Sequence, residues 1–196
     1  MEQAGIGLLG RNPWVMRRPL TVVDYHRMGE AGILSEADRV ELIEGELVAM
    51  SPVGSRHAGT VNRLTRLLVI AVGSIGLVSV QNPVRLDDRT EPEPDVAVLR
   101  PRADDYIEAT PGPEDVLLVI EVADSTLAYD RTVKAPLYAT HGLAEFWIVD
   151  LTGRAIEVHC KPEGGLYTDV FRAGAGDTLE PVLLPGVSVP VAAVLG

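Results

Sequence analysis

The sequence predicts one α/β (α+β) domain built on a mixed β-sheet that is flanked by two main helices. Its 196 residues are 46% hydrophobic and 23% charged, which suits a single domain with a packed core. Segments with helical and strand periodicity follow in the order helix, strands, helix, strands. In addition, residues 117–123 are apolar apart from Glu121, which indicates a strand buried on both faces.

Composition narrows the classes of function. The formal net charge is −11, which argues against a general affinity for nucleic acid and suits a site of carboxylates around a divalent cation. Cys160 is the only cysteine, so we expect no internal disulfide and a cytoplasmic location. The start, Met1–Ala4, does not resemble a secretory signal. The longest apolar stretch, residues 67–80, contains Gly and Ser and is too short for a membrane helix.

Residues 1–20 are interpreted as an N-terminal arm, and residues 21–196 as the domain. The arm carries Arg11, Arg17 and Arg18 beside two prolines. These arginines could contact phosphates, the arm could bind a second subunit, or it could be disordered, as chain termini often are.

The first half of the domain begins with a helix signal. Thr21 and Asp24 form a capping box for a helix toward Glu30, and the segment from Ser35 to Asp38 repeats that signal weakly. Residues 40–48 predict a hairpin that turns at Glu44-Gly45. Apolar residues at helical spacing then predict an amphipathic helix over residues 57–72.

The second half is predicted from strand runs, glycines and one proline. Strands are expected at about residues 77–86, 95–99 and 117–123. A helix over residues 128–140 should be kinked by Pro136 and end at Gly142. The remaining expected strands lie at residues 145–150, 155–160 and 167–171, and a short apolar segment follows Leu184 at the end of the chain.

Glu121 is the residue with the strongest functional signal. A carboxylate in a buried strand costs several kcal/mol unless a cation or hydrogen bonds compensate it. Asp95 directly follows Pro94 at the start of its own strand, so the two acids can meet if the strands are neighbours. Mg²⁺ or Mn²⁺ suits such oxygen ligands. Glu121 could instead belong to a buried structural ion pair, and Asp95 alone could be a turn residue.

Lys134 is the third candidate. Asp130, Lys134 and Tyr138 recur at i, i+4 and i+8, so they should line one face of the helix that leaves the Glu121 strand. Lys134 could then direct its ammonium group toward a metal and a bound phosphate. The alternative is an exposed Asp130–Lys134 pair with no function.

These residues, together with several short motifs, resemble a known family. The motifs are Pro94-Asp95, Val119-Ile120-Glu121-Val122, Tyr129-Asp130-Arg131, Lys134, and Glu145-Phe146-Trp147-Ile148-Val149-Asp150. Earlier matches include Glu41-Leu42-Ile43-Glu44-Gly45-Glu46, Met50-Ser51-Pro52 and His57. The chain is similar to the bacterial Uma-two family, which belongs to the PD-(D/E)XK nuclease superfamily with its restriction-endonuclease-like fold.

The resemblance implies specific roles. Asp95 and Glu121 match the superfamily's metal-binding acids, which makes them the expected metal ligands, and Lys134 matches a catalytic lysine that has migrated from position 123, where this chain has Ala123. Glu41 and His57 are expected supporting residues, beside Asp130 and Tyr138. Asp124 departs from the family pattern; it could cap the following helix or add a metal ligand.

The leading hypothesis is a Mg²⁺- or Mn²⁺-dependent endonuclease that acts on DNA, with Asp95, Glu121 and Lys134 as catalytic residues. We expect a homodimer, because cutting two strands is convenient with two sites. One alternative is a nuclease-fold protein that no longer cuts and serves as a dimeric binding module. Another is a phosphodiesterase that acts on RNA or a small nucleotide.

Overall fold

A computed structural model describes residues 18–196, except for the side chain of Glu36. The predicted arm, residues 1–20, therefore lies outside the described residues up to position 17, and its role stays a prediction. The part that is described begins beside the hairpin, where the amide of Leu20 donates to the carbonyl of Gly45 at 2.9 Å.

The secondary structure follows the predicted order closely. The helices are α1 (Val22–Glu30), α2 (Ser55–Val72), α3 (Leu127–Tyr129), α4 (Ala135–Thr140) and α5 (Val191–Leu195). The strands are β1 (Val40–Ile43), β2 (Glu46–Ala49), β3 (Leu77–Val80), β4 (Val96–Leu99), β5 (Val116–Ala123), β6 (Glu145–Asp150), β7 (Ala155–Glu163), β8 (Leu166–Ala173), β9 (Thr178–Leu179) and β10 (Val189–Pro190).

The central element is a six-stranded sheet in the order β3-β4-β5-β6-β7-β8. Strands β5 and β6 are parallel, while every other neighbouring pair in this sheet is antiparallel. A parallel pair needs a crossover connection, and α3 and α4 supply it. The predicted mixed sheet is confirmed.

The two faces of the sheet build two apolar clusters. On one face α2 and the C-terminal segment cover β4, β5 and β6, with Leu64, Leu68, Ile120 and Trp147 in the interior. On the other face α4 packs against the same strands, and this cluster contains Val119, Tyr138, Phe146 and Ile148. The strands are apolar on both sides because both faces are covered.

Local signals explain the first elements. Thr21 and Asp24 form the predicted capping box, with the Asp24 amide donating to Thr21 Oγ1 at 3.1 Å and the Thr21 amide donating to Asp24 Oδ2 at 3.0 Å. The hairpin turns at Glu44 and Gly45, whose φ angles are 50° and 80°. Positive φ at both central residues is the geometry that twists a two-residue hairpin correctly.

Pro136 has the disruptive effect that its chemistry predicts. The chain passes from α3 through a π-helical turn, Asp130–Lys134, into α4. The amide of Ala135 donates to the carbonyl of Asp130, five residues earlier. Because proline has no amide hydrogen and crowds the preceding turn, the regular α-helical ladder cannot continue there. Gly142 follows the helix with a φ of 73°, as expected for a C-terminal glycine.

Three details differ from the sequence-based expectations. β3 ends at Val80 instead of continuing to residue 86, because Gln81 adopts a φ of 51° that breaks an extended strand. The pair β9–β10 was not predicted, since two-residue strands carry no periodicity. Finally, strict alternation along residues 117–123 would put Leu117 on the same face as Glu121, but a register shift between β4 and β5 places it in the α2-side cluster.

No helix within residues 18–196 has both the length and the apolar character needed to cross a membrane.

Candidate active site

Asp95 and Glu121 face each other across two neighbouring strands. β4 and β5 pair with Val96 opposite Ile120, which brings Asp95, the residue before β4, opposite Glu121. The Asp95 amide donates to Glu121 Oε2 at 3.2 Å, and the Val122 amide donates to Asp95 Oδ2 at 2.9 Å. The two strands are neighbours, which is the condition under which the two acids were expected to meet, and the two carboxylates lie at one end of the sheet.

Lys134 brings a buried cation to this pair. Its Nζ lies 2.7 Å from Glu41 Oε2 and 3.4 Å from Glu121 Oε1, and only 4% of the residue is exposed. The π-helical turn carries Lys134, and β1 carries Glu41, so the contact joins elements 93 residues apart in sequence. The alternative of an exposed helix pair is wrong for Lys134, because the residue is buried.

Tyr138 and Glu41 complete the hydrogen bonding around this centre. The Tyr138 hydroxyl, which is fully buried, donates to Glu121 Oε1 at 3.0 Å. Glu41 accepts from the Glu93 amide at 3.2 Å and from the Tyr129 hydroxyl at 3.5 Å, in addition to Lys134. Both residues therefore lie where the sequence placed them, beside the two acids and the lysine.

His57 reaches Asp95 from the first turn of α2. Its Nε2 lies 2.9 Å from Asp95 Oδ2, and its Nδ1 is buried without a partner among residues 18–196. The hydrogen bond to Asp95 raises the pKa of His57, although burial of the imidazole opposes that change. His57 can therefore hold a positive charge beside the Asp95 carboxylate.

Asp130 lies in the same region but contacts a different partner from the one expected. Its Oδ2 accepts from Thr126 Oγ1 at 2.8 Å, and no described hydrogen bond joins it to Lys134. Burial raises the pKa of Asp130 to about 6. Glu41, which comes from another element, occupies the position beside the ammonium group that i, i+4 spacing suggested for Asp130.

The electrostatics of the centre reflect a surplus of acids. Burial raises the pKa of Glu121; Lys134 opposes that change, whereas Asp95 and Asp130 add to it. Burial also acts to lower the pKa of Lys134, but the carboxylates of Glu121 and Glu41 outweigh it and the pKa rises. Lys134 therefore remains protonated. The buried carboxylates of the site outnumber the cationic groups that could neutralise them.

These side chains open into a cleft of about 500 Å³ between the hairpin, α2 and the π-helical turn. The cleft is lined by predicted site residues, which are Glu41, His57, Asp95, Glu121, Asp130 and Lys134. Tyr138 lies behind Glu121 and supports it from the interior. Asp124 also lines the cleft, and its Oδ1 lies 3.4 Å from Arg56 Nη1, an ion pair with the first turn of α2.

The donor set fits a hard divalent cation that keeps most of its water. No group of three or more His, Cys, Asp or Glu side chains in the described part of the chain is arranged to hold a metal ion. Asp95 and Glu121 do present two adjacent carboxylates, and Mg²⁺ is commonly held by one or two carboxylates with waters and substrate phosphate. The closed tetrahedral geometry of structural zinc has no counterpart in this pair.

Sequence reasoning gave no role to three ionisable residues that line the cleft, Arg39, Glu93 and Tyr129. Glu93 lies two residues before Asp95, and burial raises its pKa. Burial raises the pKa of Tyr129 to about 12. The polar run before Asp95 could have pointed to Glu93. Arg39 and Tyr129 had no such local signal, because the packing of other elements brings them to the cleft.

Comparison with a known structure agrees with this architecture. A crystal structure of "a putative nuclease belonging to DUF820" from Anabaena variabilis ATCC 29413 superimposes with a TM-score of 0.70. The alignment covers 90% of this chain and 98% of that one, at 14% sequence identity. At that identity the likeness shows the fold alone. No curated protein sequence matches the chain.

The sequence itself matches a family model over residues 22–192. That model is Uma2, the Uma-two family, with the description "Putative restriction endonuclease". The match spans the hairpin that supplies Glu41, both strands that carry the paired acids, and the π-helical turn of Lys134. The resemblance inferred from the motifs is therefore confirmed, and the chain belongs to the Uma-two family.

Proposed function

We propose that the protein is a divalent-metal-dependent endonuclease that hydrolyses phosphodiester bonds in DNA. The observation that carries this proposal is the convergence of Asp95, Glu121 and Lys134, from three separate elements, in one cleft. The nuclease description of the family supports the same reaction class. DNA is the substrate suggested by the word "restriction" in that description.

Asp95 and Glu121 are the residues that would hold Mg²⁺ or Mn²⁺. The chemistry that such a cation supplies is polarisation of the phosphate and activation of a water for in-line attack. The surplus of buried carboxylates supports the assignment, because a divalent cation would compensate charges that Lys134 and His57 leave unbalanced.

Lys134 would stabilise the negative charge that grows on the phosphate oxygens as the bond to water forms and the ester bond breaks. Its raised pKa supports this role, since an ammonium group must stay protonated to act as a fixed charge. Glu41 and Tyr138 would orient the lysine and Glu121 through their hydrogen bonds. His57 would hold the Asp95 carboxylate in its rotamer.

The proposal extends to the assembly and the compartment. We propose a homodimer, in which two copies of the cleft would serve the two strands of a duplex. Light scattering on the purified protein tests this, and a monomer mass would contradict it.

The buried free thiol of Cys160 suits a reducing cytoplasm.

A cleavage assay tests the central proposal. Supercoiled plasmid, linear duplex and single-stranded DNA are incubated with the wild-type protein in Mg²⁺, in Mn²⁺ and in EDTA. Asp95→Asn and Glu121→Gln should abolish metal-dependent cleavage while circular dichroism remains that of a folded protein. Asp88→Asn, an exposed aspartate away from the cleft, is the matched control and should cut like the wild type.

Calorimetry with Mn²⁺ separates the enzyme from a non-cutting binding module. Binding that is present in the wild type and lost in Asp95→Asn supports the metal assignment. Absence of both Mn²⁺ binding and cleavage in the wild type would contradict it. A wild-type protein that cuts RNA or a nucleotide substrate but not DNA would correct the substrate class and leave the site assignment in place.

A further inference from the structure

A second cavity opens directly beside the catalytic cleft. It has a volume of about 880 Å³ and lies between α1, the loop before β1 and the hairpin. Arg39, Met50 and Glu93 line both this second cavity and the cleft, so the two spaces share a wall of three residues. A ligand that occupies the cleft therefore lies next to the second cavity, with Arg39, Met50 and Glu93 between the two spaces.

Arg39 stands at the junction of the two spaces with its charge available. The residue is exposed, and among the described side chains none forms a hydrogen bond or ion pair with its guanidinium, although its charge acts on the nearby Glu93. Its backbone has a φ of 42°, a left-handed conformation that costs energy for a residue with a side chain. The Met50 amide donates to the Arg39 carbonyl at 2.9 Å and holds that backbone in place.

The charge of Arg39 matters because its surroundings are acidic. The net charge of the chain is −11, and Glu93 lies on the shared wall. Among the described residues that line the second cavity, Arg39 is the one Lys or Arg. Among those that line the cleft, the other Lys or Arg is Lys134, which two carboxylates already engage. A phosphate next to the reacting one would find its counter-charge at Arg39.

Aromatic rings line the second cavity beyond Arg39. Tyr25 and His26 lie on α1 with ring centroids 5.8 Å apart and a tilt of 46°. Both rings are fixed at their polar ends: the Tyr25 hydroxyl donates to the Val40 carbonyl at 2.8 Å, and His26 Nε2 lies 2.6 Å from Glu91 Oε1. Rings fixed in this way offer a surface on which an unpaired base can stack.

We propose that the second cavity binds the nucleotide that flanks the scissile phosphate, with Arg39 on its phosphate and Tyr25 and His26 against its unpaired base. The inference rests on the proposed function, because it assigns a subsite to the same substrate. It adds a substrate class, a strand with at least one unpaired nucleotide next to the cut. A fully paired base could not present its face to the rings.

Binding measurements test the phosphate contact apart from cleavage. Fluorescence anisotropy follows a labelled single-stranded oligodeoxynucleotide in Ca²⁺, with sodium chloride varied. Arg39→Gln should weaken binding about tenfold and reduce the slope of log K against log salt by about 0.7, the value for one lost phosphate contact on a single strand. Arg66→Gln is the matched control, because Arg66 is exposed on α2 and lines none of the described cavities; it should bind like the wild type.

A second pair of variants tests the stacking surface. Tyr25→Phe and Tyr25→Leu both lose the hydroxyl bond to Val40, but the phenylalanine keeps a ring. Tyr25→Leu should bind at least about fivefold more weakly than Tyr25→Phe, with an unchanged salt slope, because stacking does not release counterions. Equal affinities of these two variants would overturn the stacking assignment.

The two proposals fail in distinguishable ways. If the wild type cuts DNA but Arg39→Gln binds with wild-type affinity and salt slope, the second cavity is not the flanking subsite and the proposed function stands. If binding depends on Arg39 as expected but no metal-dependent cleavage occurs, the proposed function falls, and the second cavity stands only as a nucleotide-binding site without a scissile phosphate beside it. A wild-type protein that binds no oligonucleotide would overturn the subsite directly.

Discussion

Lys134 is held by carboxylates from two distant parts of the chain, Glu41 and Glu121. Loss of any one of these three charged groups should destabilise the fold, because it leaves an uncompensated charge in the interior. The same arrangement keeps the ammonium group in a single position at the floor of the cleft. Stability and the proposed chemistry therefore depend on the same contact.

Replacement of Lys134 should be costly in both respects. Lys134→Met should abolish cleavage and lower the free energy of unfolding by about 3–5 kcal/mol, since Glu41 and Glu121 lose their cation. Urea denaturation followed by circular dichroism measures the change. Lys161→Met is a matched control, because Lys161 pairs with Asp169 on the surface. An unfolding midpoint that shifts equally in both variants would contradict the buried-pair interpretation.

Cys160 gives a prediction about reactivity. The thiol is buried in the α2-side cluster, and burial raises its pKa from the ordinary 9.0 to about 12. We expect very slow reaction with a disulfide reagent at pH 8 in the native protein and rapid reaction in urea, because the thiolate is the reactive form. Rapid native labelling at one equivalent would show that the strand β7 is open to solvent.

The sign of the linked pH dependence follows from the same shift. The thiol stays neutral in the folded protein up to about pH 12, whereas in the unfolded chain it ionises above pH 9.0. The contribution of Cys160 to the free energy of unfolding is therefore complete below pH 9.0 and declines as the pH rises toward 12. Cys160→Ala should remove that part of the alkaline decline in the free energy of unfolding.

At the scale of elements, the β1–β2 hairpin is the part that delivers Glu41 to the lysine. Gly45 allows its turn for two reasons. Its φ is 80°, and a Cβ there would lie 2.4 Å from Pro19 Cβ and 2.9 Å from the Leu20 carbonyl oxygen. The hairpin can thus lie against the chain segment before α1 only when position 45 has no side chain.

Two glycine substitutions should therefore act in opposite directions. Gly45→Ala should destabilise the protein by more than about 1 kcal/mol, through strain and the clash with Pro19. Gly59→Ala, within α2 and with no atom within 4 Å of the added Cβ, should stabilise it by about 0.5–1 kcal/mol. Thermal unfolding of both variants measures the contrast, and two changes of the same sign would refute the argument from turn geometry.

The π-helical turn is the other element that shapes the site. Its wider spacing before Pro136 directs Asp130 and Lys134 into the cleft while Tyr138, one turn later, contacts Glu121 from inside. π-helical turns are rare in proteins as a whole, but those that do occur are often found at functional sites. Pro136 follows this turn directly after Ala135, at a position where it cannot supply the amide hydrogen that a regular helix needs.

At the scale of the whole molecule, the last twenty residues close the core. Leu184, Val187, Val191 and Val194 are buried in the α2-side cluster, against a sheet whose strands precede them in sequence. The Val182 amide donates to the buried carboxylate of Glu145 at 2.6 Å, which ties this segment to β6. The C-terminal segment is therefore part of the domain core.

Neighbouring leucines provide the test of that conclusion. Leu184 is 1% exposed and Leu183 is 38% exposed. Leu184→Ala should lower the free energy of unfolding by about 2–5 kcal/mol because it leaves a cavity. Leu183→Ala should change it by less than about 0.5 kcal/mol. Similar losses in both variants would mean that Leu184 is not the buried member of this pair.

The sequence predicted most of the elements because their signals are local. The capping box of Thr21, the turn at Glu44-Gly45 and the kink at Pro136 each depend on residues close together in the chain, and all three occur. The short end of β3, the Leu117 bulge and the β9–β10 pair were missed, because strand ends and registers depend on neighbours from elsewhere.

The candidate site divides in the same way. The sequence alone identified Glu121, Asp95 and Lys134. It shows an acid within an apolar strand, an acid directly after a proline, and a lysine at helical spacing from Asp130 and Tyr138. Only the tertiary structure decided that Glu41 is the nearest partner of Lys134 and that Arg39 stands between two cavities. Those contacts join segments from different elements, and their geometry depends on how the hairpin packs against the sheet, which no local pattern of residues specifies.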